Sequence, residues 1–89
     1  MARIEWAREA LAHLELIRAY IEQFDPDAAT RLVGRLISAC VSLEDFPDRG
    51  RPAGDGVREL PSIRPYVIQY EVCGDTVRIL RIKHGSQRR

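Results

Sequence analysis

The stretch YVIQYEVCGDTVRILRIKH, Tyr66 to His84, decides the architecture. Tyr66–Val72 alternates Tyr66, Ile68, Tyr70 and Val72 against Val67, Gln69 and Glu71, the two-residue period of a strand with two different faces. Gly74-Asp75 is a hairpin turn signal, and Thr76–Lys83 supplies the returning strand. A two-residue turn pairs Cys73 with Thr76. Counting outward gives Val72/Val77, Glu71/Arg78, Tyr70/Ile79, Gln69/Leu80, Ile68/Arg81 and Val67/Ile82. One predicted face carries Tyr66, Ile68, Tyr70, Val72, Val77 and Ile79, with Arg81 and Lys83 at its far end. The other carries Val67, Gln69, Glu71, Arg78, Leu80, Ile82 and His84. On this second face a Glu71–Arg78 pair suits water, whereas Val67, Leu80 and Ile82 form an apolar strip that another element or a partner must cover. A single inserted residue in either strand would exchange the faces of everything beyond it.

Upstream, the alternation in ARIEW predicts a short half-buried strand. Trp6, Ala10, Leu14, Ile17, Ile21 and Phe24 then recur at steps of three and four, as the buried face of a helix does. Glu15, Arg18 and Glu22 pair along its outside. Asp25-Pro26-Asp27 starts a second helix, with Asp25 as N-cap and Pro26 at the first helical position. Its stripe is Ala29, Leu32, Val33, Leu36, Ile37, Cys40 and Leu43, and Pro47 ends it by Phe46. The two helices form an antiparallel hairpin. PDRGRPAGDG, residues 47–56, is a loop, Val57–Leu60 a short strand, and Pro61 to Pro65 a break. The order predicts one α+β domain over 1–89: an N-terminal short strand and a helical hairpin packed on a mainly antiparallel sheet.

At 89 residues the chain has room for one compact core. No apolar run is long enough for a membrane span and no signal sequence precedes the first helix, so a soluble, cytoplasmic protein with no membrane role is expected. Cys40 and Cys73 lie outside metal-ligand spacing to each other and to His13 and His84, and are expected as small buried residues. There is no glycine-rich phosphate loop, nucleophile elbow or zinc spacing, so neither a metal nor another cofactor is implied. Charge is unevenly placed: residues 1–46 carry five bases against eight acids, and residues 47–89 nine bases against five acids. An anionic partner would meet the second half.

His84 is the natural general acid or base, because its side chain titrates near neutrality. Arg58, Arg64, Arg78, Arg81, Lys83, Arg88 and Arg89 are candidates for a phosphate-binding surface, with Tyr66 or Tyr70 able to stack on a base. The alternative reading is that these charges only solvate a small sheet.

IEWAREAL, DPDAATRLVGRLISAC, FPDRGRPAG, VREL, YVIQYEV and GDTVRILRIKHGSQ together resemble the RelE/ParE superfamily of type II toxin–antitoxin toxins, and specifically its ParE, or plasmid-stabilisation, branch. The most specific part is FP-x-x-GRP followed by VREL and the I-L-R-I-x-HG ending. The resemblance implies a toxin neutralised by an adjacently encoded, ParD-like antitoxin that covers Val67, Leu80, Ile82 and Arg78. It implies contact with promoter DNA only through that complex. ParE-type members poison DNA gyrase, and RelE-type members cut mRNA on the ribosome. For a nuclease, Arg58 and His84 match the arginine and histidine positions of some members. Lys83, however, is the only lysine, no aromatic follows His84, and no convincing glutamate base precedes Val57. The expectation is therefore a gyrase-directed toxin without bond chemistry, contacting its target through Arg81, Lys83, His84, Arg88 and Arg89. A ribosome-dependent endoribonuclease and a non-toxic relative remain open alternatives.

Overall fold

The computed structural model describes residues 2–85. Strand β1 (Arg3–Trp6) leads into helix α1 (Arg8–Glu22) and helix α2 (Pro26–Val41), which ends in a 3-10 turn over Ser42–Glu44. Strands β2 (Arg51–Pro52), β3 (Val57–Ile63), β4 (Tyr66–Cys73) and β5 (Thr76–His84) follow. The sheet order is β1-β5-β4-β3-β2; β1 runs parallel to β5 and every other pair is antiparallel. This is the expected α+β architecture, with the helical hairpin on one face of the sheet.

Local chemistry explains the hairpin. Asp25 Oδ1 accepts from the Ala28 N–H at 3.1 Å and Pro26 opens α2, so two of the four orphan donors of a helix start need no other partner. Outside α1, Arg18 donates to Glu22 at 2.7 Å and to Glu15. The Arg18 guanidinium thereby holds the Glu15 carboxyl below its ordinary value.

The core is Ala10, Leu36, Ala39, Cys40 and Leu43 from the helical layer against Leu60, Ile63, Ile68, Tyr70, Val77, Ile79 and Ile82 from the sheet. Phe24 does not join it, standing 72% exposed where α1 has already ended, and Ile37 is 39% exposed on α2. Cys73 is also exposed, at the strand end beside the turn, while Cys40 is buried as expected. The 47–56 segment contains the two-residue strand β2, and β3 continues through Pro61 to Ile63 with an irregularity after Leu60. Pro61 is tolerated there because the ladder is already interrupted.

The decisive difference lies in β5. Pairing follows the expected register from Cys73↔Thr76 to Tyr70↔Ile79, then shifts: Gln69 pairs with Arg81, Ile68 with Ile82, Val67 with Lys83 and Tyr66 with His84. Leu80 is the extra residue of a β-bulge, and beyond it the faces exchange. Ile82 therefore points at the helices and is 3% exposed, so it cannot belong to an outer apolar strip. Arg81 and Lys83 turn to the outer face instead, and His84 to the inner one.

Candidate functional site

The outer face, away from the helices, holds a continuous polar chain. Arg81 Nη1 donates to Gln69 Oε1 at 2.7 Å, and Gln69 Nε2 donates to Glu59 Oε2 at 2.7 Å. At one end Arg81 Nε lies 3.5 Å from Glu9 of α1; at the other Arg51 lies 3.8 Å from Glu59. Five elements are thus linked through Arg81 and Gln69. Exposed pairs of this kind contribute about 0.2–1 kcal/mol each, so the chain fixes side-chain direction more than it stabilises the fold. Arg78 keeps its predicted strand partner, Glu71, but its guanidinium reaches Glu5 of β1 at 3.4 Å. Beside this network Val67 and the bulge residue Leu80 are half-buried, and Lys83 lies across from Val67.

On the inner face a second constellation secures the 47–50 loop. The Tyr70 hydroxyl, fully buried, donates to the Pro47 carbonyl at 2.8 Å and accepts the Gly50 N–H at 2.8 Å. Arg58 Nε donates to the Gly50 carbonyl at 3.0 Å, and its Nη2 to the Asp48 carbonyl at 3.2 Å. A Cβ on Gly50 would fall 2.6 Å from that hydroxyl and 2.7 Å from the Glu59 carbonyl, so no larger residue fits. The FP-x-x-GRP and VREL segments are thereby joined in one bonded unit.

His84 sits at the opposite end of the sheet, beside Tyr66, with ring centroids 5.8 Å apart and planes at 77°. Arg58 pairs with Tyr70 and His84 with Tyr66, on strands that flank β4. Four residues along the strand and two strand spacings put Arg58 and His84 roughly 16 Å apart. The two residues matched to a nuclease thus lie beside opposite ends of β4. Of the five target-contact candidates, Arg81 and Lys83 share the outer face, His84 lies on the other, and Arg88 and Arg89 lie outside the described residues.

Where α1 passes the end of β1 it closes the edge of β5. His13 Nδ1 accepts the Ile82 N–H at 3.2 Å, and its Nε2 lies 3.8 Å from Glu9. Cys40, buried at the heart of the core, has its thiol pKa pushed up to about 12 by burial, so it is chemically inert there.

One further surface had no counterpart in the sequence-based expectations. Along α2 an open groove of about 680 Å³ is lined by Arg31, Gly34 and Arg35, with Ala39 and Ile63 beneath and Arg49 opposite. The available signal was Gly34, an isolated glycine in a helix interior where it weakens the helix.

Residues 4–89 match the family described as ParE toxin of type II toxin-antitoxin system, parDE. Toxin RelE2 of Caulobacter vibrioides is 47% identical over 87 residues, covering 98% of this chain and 99% of that protein. Putative toxin Y4kP of Sinorhizobium fredii is 44% identical over 87 residues, covering 96% and 90%. Among solved structures, a chain from the chromosomal ParDE toxin–antitoxin system of P. aeruginosa superposes with a TM-score of 0.86 at 29% identity, covering 94% of this chain and 96% of that one. YafQ of E. coli strain BL21(DE3) shares the fold at a TM-score of 0.51 and 17% identity, covering 94% and 93%. The fold, the bonded FP-x-x-GRP/VREL unit and these likenesses agree: the chain belongs to the ParE toxin family of type II toxin–antitoxin systems.

Proposed function

We propose that this toxin acts in the cytoplasm by binding rather than by cleaving a bond, arresting growth through DNA gyrase until its cognate antitoxin covers it. In that role it serves plasmid or replicon stabilisation, and it meets promoter DNA only through the antitoxin complex. The observation that carries this proposal is the commitment of Arg58. Its guanidinium is spent on the carbonyls of Asp48 and Gly50, far from His84, so the arginine and histidine do not converge on one scissile phosphate. Lys83 and Arg81, with the tail beyond Gly85, are the contacts assigned to the target. Val67, Leu80 and Arg78 are assigned to the antitoxin, without Ile82.

One observation favours the alternative, a ribosome-dependent endoribonuclease. The Tyr66 ring lies beside His84, so the histidine has an aromatic companion that its sequence neighbours do not supply, and three similar proteins of Caulobacter vibrioides carry the name toxin RelE. Induction of the chain alone in a bacterial host separates the two, with supercoiling, SOS induction and mRNA integrity measured together. Gyrase poisoning is expected to give SOS induction with intact mRNA, and to survive Arg58→Lys. Cleaved mRNA that becomes intact in His84→Ala would replace the gyrase proposal with the nuclease.

A further inference from the structure

The exposed face of α2 carries charge and shape that the chain itself does not use. Arg31 and Arg35 are one helical turn apart, a rise of about 6 Å, and neither guanidinium has a hydrogen bond or ion pair among the described residues. Across the groove Arg49 is held in place: its Nη1 donates to Ser42 Oγ, which in turn donates to the Ala39 carbonyl. Three cations therefore face one groove, and none of its lining residues is acidic. Beneath them Ala39 and Ile63 give an apolar floor, only 8% and 9% exposed.

Gly34 lies between the arginines and the apolar part of this face. A Cβ built there meets nothing within 4 Å, so no packing within the chain requires the glycine. Its missing side chain leaves a notch through which another backbone can approach α2 closely. On the far shoulder Ile37 and Val41, three and seven positions on, are 39% and 45% exposed. An apolar shoulder, a notch and an arginine shoulder together are complementary to a helix or extended segment with one apolar and one acidic side. A nucleic-acid strand fits less well. No aromatic lines the groove for stacking, and the apolar floor and shoulder offer nothing to phosphodiester groups.

We propose that this groove docks an acidic, amphipathic segment of the cognate antitoxin, whose carboxylates meet Arg31, Arg35 and Arg49 and whose backbone lies over Gly34. The inference rests on the toxin–antitoxin assignment for the identity of the segment's owner, and not on whether gyrase or mRNA is the target.

The test uses the full chain and the purified antitoxin encoded beside it. Affinity is measured by calorimetry for the wild type, Arg31→Glu/Arg35→Glu and Gly34→Leu, and growth arrest is scored for each toxin expressed alone. Both variants change groups that face open space, and cooperative thermal melts at or above the wild-type midpoint verify that they fold. The double variant is expected to bind the antitoxin about 100-fold more weakly, each lost charge pair accounting for about tenfold, and to lose most of the salt dependence of association. Gly34→Leu is expected to weaken binding about tenfold or more without any change in charge. Growth arrest by both variants should match the wild type, now resistant to antitoxin co-expression. Affinity within twofold of wild type in both variants would overturn the proposal. So would loss of growth arrest at unchanged antitoxin affinity, which would give the groove to the target. Binding of a 20-base-pair duplex DNA that the double variant abolishes, again at unchanged antitoxin affinity, would give it to nucleic acid. If the wild type arrests no growth, the toxin assignment fails while the calorimetry still decides the groove.

Discussion

The Tyr70 hydroxyl and the Gly50 N–H are bonded at 2.8 Å inside the core, and the same hydroxyl reaches Pro47, so one side chain of β4 secures both ends of the 47–50 loop. Tyr70→Phe leaves the Gly50 donor and the Pro47 acceptor without this partner while hardly altering volume, and is expected to cost about 1–3 kcal/mol. Gly50→Ala forces atoms to within 2.6 Å of that hydroxyl and should cost at least as much. Urea unfolding midpoints measure both. A Tyr70→Phe protein as stable as wild type would remove the hydroxyl from any structural role.

The bulge at Leu80 makes a direct prediction, because it places Leu80 and Ile82, two positions apart, in different environments. Ile82→Ala should destabilise by about 2–5 kcal/mol, as a buried isoleucine does, and Leu80→Ala by less than half as much. A regular hairpin would leave both on the outer face with similar, small costs. Equal effects in chemical denaturation would argue for the unbulged register.

Thiol chemistry distinguishes the two cysteines. Cys73 is exposed and Cys40 is not, so the native protein should react with one equivalent of a thiol reagent and the unfolded protein with two. Burial raises the Cys40 pKa from 9.0 to about 12, which means that the fold favours the neutral thiol. Its contribution is complete below the unfolded-state pKa and is lost as pH rises from that value towards the folded one, from about 9 to about 12. Thermal melts across that window should fall more steeply for wild type than for Cys40→Ala. Parallel profiles would contradict the assignment.

Much of the architecture was legible because local signals agreed with one another. Asp25-Pro26 capped α2 as its residue types require, and Gly74 adopts φ 62°, the positive angle that makes glycine the signal at the start of a two-residue hairpin turn. The register then held for four pairs. It failed at Leu80 because a bulge depends on how the sheet coils against the helices, a tertiary effect that turn chemistry does not encode. A trace of it was nevertheless present: Ile79-Leu80 breaks the alternation, and setting Leu80 aside restores it, with Ile79 and Ile82 inward and Arg81 and Lys83 outward. The role of Arg58 was less accessible. Its bonds run to backbone carbonyls of a loop eight to ten positions earlier, and carbonyls have no side-chain signature. The α2 groove was hidden for a related reason, since Arg49 and Ile63 reach it from segments distant in sequence.

The bond from the Ile82 N–H to His13 has a consequence for the toxin's life outside its complex. A strand whose edge is open is a template for adding another strand, and a toxin released from its antitoxin must not polymerise through such edges. β5 outruns its neighbour β1 by several residues, and α1 lies along that overhang with an imidazole nitrogen occupying the donor at Ile82. The sheet's outermost strands are β1, four residues long and bearing Arg3 and Glu5, and β2, two residues long and ending in a proline that has no N–H to offer. Short, charged or donor-free outermost strands, with the overhang of β5 capped by a helix, leave another chain little regular edge to add to at that end of the sheet.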